Sequence, residues 1–175
     1  MIRNVFSNAC IWLPAWLIGI LLCLPSGALA GQFKVTEVYS GDTVKVEGHD
    51  IEVRVRMVGV DAPETSPGRG EPGQPFSREA GEHLAGLILD RTVDIQGYGL
   101  DHLGRVLGVI HLKGRNINLE MIRSGLAEVL RGLAPHKFDL IPYWLAEKQA
   151  RDAGMGVWSL GDEYVSPSRF RSIQD

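Results

Sequence analysis

Cysteine is scarce in this 175-residue chain: Cys10 and Cys23 are the only two, and both fall within the first thirty residues. Residues 31–175 therefore have to fold on a hydrophobic core alone, without disulfides or thiolate metal ligands. An excess of basic charge is also missing. Lys and Arg number 18 against 21 Asp and Glu, a net charge of −3, which argues against a protein held on nucleic acid by a broadly basic surface. Any site for a polyanion must be local. The five histidines, at 49, 83, 102, 111 and 136, are scattered without a pair at helical ligand spacing, which argues against zinc. Ser124 and Ser159 lack the setting of a nucleophile elbow, and no phosphate-cradling Gly-Lys-Ser/Thr run is present, so serine hydrolase and P-loop chemistry are excluded. What remains is 45% hydrophobic and 22% charged with 21 Gly and 9 Pro, the composition of one turn-rich globular domain.

The first thirty residues stand apart. Arg3 is their only charge, Cys10–Leu24 is almost wholly apolar, and Ala28-Leu29-Ala30 offers small residues at the positions a signal peptidase reads. Residues 1–30 are thus expected to be a signal peptide cleaved near Ala30, giving a secreted or periplasmic protein. An uncleaved membrane anchor is the alternative, but the run is interrupted by Pro14 and Gly19 and falls short of the ~20 residues that span a bilayer. Lipidation at Cys23 is disfavoured by Leu22, where a small residue would be expected. Without Arg3 the 18 basic residues become 17 against 21 acidic ones, a net charge of −4.

From Phe33 the apolar residues alternate with period two through Val38, Val44–Val46 and Ile51–Val55, with Ser40-Gly41-Asp42 and Gly48-His49-Asp50 between them. This predicts a meander of three antiparallel strands. Ala62–Pro75, with four prolines and three glycines, reads as an irregular loop. Phe76, Ala80, Leu84, Leu87 and Ile88 recur at helical spacing, with Ser77 as a plausible cap. Thr92–Gln96 and Val106–Leu112 read as strands joined by a loop over Gly97–Gly104, and helices follow over Ile117–Ser124 and Leu140–Ala153. The order predicts an α+β fold, a five-stranded OB-type β-barrel with three α-helices, over residues 31–160. Residues 161–175 lack apolar periodicity and read as a flexible C-terminal tail. Trp144 and Trp158 read as core or lid aromatics.

Two turn aspartates carry the first chemical signal. Asp42 enters the second strand and Asp61 leaves the third, so both can lie at one end of the sheet, where with the Ala62 carbonyl they would be hard oxygen ligands for Ca²⁺ or Mg²⁺. They can equally be turn caps, since Asp bonds its own backbone in turns. Glu64, three residues after Asp61, could project into the same space as a general base. Arg56 shares a strand face with Arg54, and Arg105 begins a strand after Gly104; two guanidinium forks beside a metal suit a phosphodiester and its more highly charged transition state.

Ser40-Gly41-Asp42-Thr43-Val44-Lys45-Val46, Val55-Arg56-Met57-Val58-Gly59-Val60-Asp61-Ala62-Pro63-Glu64 and Leu103-Gly104-Arg105 resemble, in order and spacing, the signatures of the staphylococcal nuclease (thermonuclease) family. Asn118–Ala127 and Gly156-Val157-Trp158 continue the resemblance, which runs from about Lys34 to Trp158. It implies a secreted OB-type nuclease that cleaves DNA and RNA with one Ca²⁺ ion, Mg²⁺ being less favoured, as a monomer without a stable protein partner. Asp42, Asp61 and the Ala62 carbonyl would bind the metal, Arg56 and Arg105 would grip the phosphate, and Glu64 would be the base. Three positions depart from the family pattern: Ser40 replaces an acidic residue, and Leu103 and Arg131 stand where tyrosines are usual. Arg131 could supply a charge contact instead. The other class of reading is a catalytically silent OB module that binds nucleic acid, and the joint presence of Asp42, Arg56, Asp61, Glu64 and Arg105 favours the enzyme.

Overall fold

The computed structural model describes residues 30–66, 72–132 and 134–174. The expected signal segment therefore lies outside the described residues, apart from Ala30. The period-two runs form β1 (Ala30–Ser40), β2 (Thr43–Gly48) and β3 (Ile51–Met57), an antiparallel meander as expected. Strand β5 (Thr92–Leu100) pairs with the other edge of β1, and β6 (Val106–Leu112) pairs with β5. A parallel pairing of Val55–Met57 with Val106–Gly108 joins β3 to β6 and closes the five-stranded barrel. Closure leaves no long open edge, so the short strands stay paired on both sides. The two-residue strands β4 (Val60–Asp61) and β8 (Glu128–Val129) form a separate ladder, and β7 (Arg115–Asn116) folds back antiparallel on the end of β6.

The inward residues of the alternating strands, among them Val35, Val44, Val46, Val55, Ile95 and Ile110, are almost fully buried. Three helices cover this core. Helix α1 (Ser77–Ile88) buries Ala80, Leu84 and Ile88, α2 (Ile117–Arg123) buries Ile117, Met121 and Ile122, and α3 (Ile141–Asp152) buries Tyr143, Ala146 and Ala150. Each fully buried Leu or Ile contributes about 1.5–3 kcal/mol, so these apolar faces fix the helices where their propensities would not. Asn116 caps α2 by accepting from the Leu119 N–H at 3.0 Å. Asn118, wholly buried in the same helix, accepts from the Ile110 N–H and donates to the Val58 and Gly108 carbonyls, each at 3.0 Å. This clasp ties the barrel to the turn that leads into Asp61.

The structure differs from the sequence expectations in three places. Ser77 is the first residue of α1 rather than its cap; Phe76 fills the cap position at φ 67° and the helix has no side-chain cap. β5 runs on to Leu100, through part of the expected loop, because Leu100 pairs with Val106 across an irregularity after Gly97. Trp144 is 50% exposed on α3 and so is not part of the core. The residues read as a flexible tail include a fourth helix, α4 (Pro167–Gln174), after 3-10 turns over Gly156–Glu163. Its first turn is capped by Ser166 Oγ, which accepts from the Arg169 N–H at 3.2 Å, and its anchorage is mostly polar, which leaves no apolar rhythm in the sequence.

Candidate active site

The first carboxylate is held by the turn between β1 and β2. Gly41 is required there: a Cβ at this position would lie 2.6 Å from the Ala80 Cβ and 2.8 Å from the Ala62 Cβ, so only glycine lets the turn, α1 and the segment after Asp61 meet. Asp42, 1% exposed, is framed by four donors. Ser40 Oγ and Thr43 Oγ1 donate to Oδ1 and the Ala62 N–H donates to Oδ2, all at 2.9 Å, while the Arg56 guanidinium pairs with Oδ1. Ser40, which replaces an acidic residue of the resembled pattern, thus gives Asp42 a neutral donor. The Met57 N–H donates to the Asp42 carbonyl at 2.8 Å and locks the end of β3 beside it.

Register explains the position of Arg56: it sits opposite Thr43 in the β2–β3 ladder, one residue from Asp42. Its Nη1 meets Asp42 and its Nη2 donates to Asp61 Oδ1 at 2.8 Å, so one guanidinium joins two buried carboxylates. Asp61 is fully buried in β4, opposite Glu128 of β8. The Glu128 carboxyl is pushed above its ordinary pKa, first by burial and then by the nearby Asp61 charge, although Tyr164 donates to its Oε2 at 2.7 Å.

Glu64 follows through Pro63, and its backbone is gripped on both sides by Gln74. The Glu64 N–H donates to Gln74 Oε1 and the Gln74 N–H donates to the Glu64 carbonyl, both at 2.9 Å. Arg105 is placed differently, by a turn organised around Asp101. Oδ1 of Asp101 accepts from the Leu103 and Arg105 N–H groups at 2.9 Å, and Oδ2 pairs with Arg105 Nε at 2.7 Å. Burial raises the Asp101 pKa, but these donors outweigh it and hold the carboxyl below the ordinary carboxylate range.

Arg56, Glu64 and Arg105 line one open cavity of about 750 Å³, bounded also by Tyr39, Arg54 and Leu103. Asp42 and Asp61 sit behind its wall. All five sequence-nominated side chains therefore converge on one rim of the barrel. Leu103, 66% exposed, offers the cavity an apolar edge. Arg131 is engaged elsewhere, donating to Glu147 Oε2 at 2.6 Å, and does not line the cavity.

Three groups at this rim escaped sequence reasoning. Asp101 and Gln74 orient Arg105 and Glu64, and Arg171 of α4 donates to both Asp61 oxygens, from Nη1 to Oδ1 at 3.1 Å and from Nη2 to Oδ2 at 3.0 Å, while also pairing with Glu64 Oε1. The Asp61 bond is the first reason its guanidinium is held even more firmly protonated than usual. No local signal could have revealed a contact that spans 110 positions.

Asp42 and Asp61 are two buried carboxylates set in a hydrogen-bonded frame, and hard oxygen groups of this kind suit a divalent cation. Among the described residues no group of three or more His, Cys, Asp or Glu is gathered for a metal.

Fold and rim together define a class, the closed-barrel α+β proteins with an acidic pair and arginines at one end. Residues 54–160 match the family model described as staphylococcal nuclease homologue, and the chain belongs to that family. A protein named probable endonuclease LCL3 of Debaryomyces hansenii is 32% identical over 155 residues, covering 85% of this chain and 64% of its own length. Proteins of that name from Clavispora lusitaniae and Verticillium alfalfae are 37% and 33% identical, over 70% and 85% of this chain and 54% and 53% of their own lengths. The chain thus spans under two-thirds of the length of these curated relatives.

Proposed function

We propose that this protein is an exported, calcium-dependent nuclease that hydrolyses phosphodiester bonds of DNA and RNA as a monomer, without a stable protein partner. The observation that carries this reading is the convergence of Arg56, Glu64 and Arg105 on one cavity backed by Asp42 and Asp61. The names of the relatives, probable endonucleases, point the same way. Export rests on the leader composition of residues 1–30, with no membrane association once it is removed.

In this reading a phosphodiester lies in the cavity with its non-bridging oxygens toward Arg56 and Arg105. Asp42, Asp61 and the Ala62 carbonyl would hold Ca²⁺ in preference to Mg²⁺, the ion polarising the phosphoryl oxygen and offsetting charge when bound. Glu64 aligns a water for attack: the water oxygen bonds to phosphorus, one P–O ester bond breaks, the proton passes to Glu64 and the departing oxygen is protonated from solvent. The arginines act on charge that grows in the transition state, where fixed donors gain most.

The test is hydrolysis of single-stranded DNA, duplex DNA and RNA with Ca²⁺, with Mg²⁺ and with chelator, by the protein and by Asp42→Asn. Cleavage that disappears in chelator, with Asp42→Asn requiring more Ca²⁺, is the expected result. Undiminished cleavage in excess chelator contradicts the metal role. Binding without cleavage under every condition identifies a silent OB module instead.

A further inference from the structure

The proposed reading leaves Arg171 unused, yet it makes the most extensive contact with the acidic rim. Its guanidinium takes both oxygens of Asp61 and reaches Glu64, so one tethered cation covers both the buried metal-side carboxylate and the proposed base. With Arg56 on the other side, Asp42, Asp61 and Glu64 already face two positive charges. A hard cation that uses Asp61 and a water aligned by Glu64 need the same oxygen faces.

The segment that delivers Arg171 is lightly held. Of α4, Pro167 is buried, Phe170 and Arg171 are half-buried, and Ser168, Arg169, Ser172 and Ile173 are exposed. Gln74 Nε2 donates to the Val165 carbonyl just before it at 2.9 Å, and Phe170 borders clefts formed with Pro63 and Pro75. A helix of eight residues is marginal in water by itself, so α4 is ordered by these few contacts and by the ion pairs of Arg171. Gln74 also grips Glu64, so the helix and the base share one hydrogen-bonded hinge.

We infer that α4 is a built-in plug: Arg171 competes with the divalent cation for Asp61 and Glu64, and the helix must swing aside for the metal to bind. The inference rests on the metal reading above. Competition from a tethered group lowers the apparent metal affinity by the fraction of molecules with the helix undocked, and by reciprocity the metal loosens the helix.

Calorimetric titration of the protein with Ca²⁺, without substrate, tests this alongside Arg171→Gln and Phe170→Ser, the second of which loosens the helix but keeps the arginine, and Asp42→Asn. Both α4 variants are expected to bind Ca²⁺ about ten-fold more tightly, within the usual range of coupling between sites. Trypsin cleavage at Arg169 and Arg171 in the unsubstituted protein is expected to accelerate on adding Ca²⁺. Unchanged affinity in both α4 variants, with Asp42→Asn still weakening binding, overturns the plug and leaves the metal reading standing. Weaker binding in Arg171→Gln overturns it as well. Absence of Ca²⁺ binding in every protein, Arg171→Gln included, removes the metal reading and the plug together.

Discussion

Asp61 is shared by two arginines that come from very different parts of the molecule. Arg56 is set in β3 by ladder register, its side chain 15% exposed and its guanidinium wedged between two buried carboxylates. Arg171 arrives on a short terminal helix, is 40% exposed, and touches the same carboxylate from the solvent side. The chemistry of the contacts is the same and their backing is not. A guanidinium fixed by the barrel compensates charges that folding has already desolvated, whereas one on α4 can leave without exposing a core. The barrel thus holds what has to be preorganised, and the appended segment can be exchanged.

Replacing the first arginine should therefore hurt twice. Arg56→Ala is expected to lower hydrolysis by about two to four orders of magnitude, the range for losing a transition-state charge contact. It should also cost about 3 kcal/mol in urea unfolding, because two buried carboxylates lose their shared counter-charge. Arg105→Ala separates the two effects: the loss of rate should be similar, but the unfolding midpoint should barely move, since among the described residues Arg105 pairs with Asp101 alone, on a turn. Equal destabilisation by both would mean that the barrel and the turn back their arginines alike.

The smallest expected effect sharpens the same contrast from the far side of Asp61. Glu128 lies opposite Asp61 in the β4–β8 ladder, its pKa raised by burial and by that charge. A carboxyl with a raised folded pKa favours folding at pH below its unfolded value, and the contribution is lost as pH rises through the folded value. Glu128→Gln, which keeps an acceptor for Tyr164, should therefore raise the urea midpoint at pH 7, with the gain shrinking toward pH 4. A loss of stability at pH 7 would show that the ionised carboxylate is needed there.

Most of the barrel was legible because its strands alternate: Val35, Val44, Val46 and Val55 are buried at the positions the period assigns. The strand through Gly97–Leu100 was not, since two glycines and a register irregularity replace side-chain alternation. Convergence of Asp42, Asp61, Glu64, Arg56 and Arg105 could be read from motifs that sit at strand ends. Their supports could not. Gln74 is linked to Val165 across 91 positions and Arg171 to Glu64 across 107, and α4 has too few buried apolar residues to leave a helical pattern. Asp101 was within sight, four residues from Arg105, but an acidic residue in a glycine-rich turn has no mark that separates an orienting group from a solvated one.

The most direct measurement is single-turnover cleavage of a single-stranded DNA oligonucleotide by the protein and by Glu64→Gln, both at saturating Ca²⁺. A rate lowered by about two to four orders of magnitude in the variant, with oligonucleotide binding retained, is the expected result for loss of the group that aligns the water. Cleavage by purified Glu64→Gln at an undiminished rate would contradict the assignment of Glu64, and with it the chemistry proposed for this site.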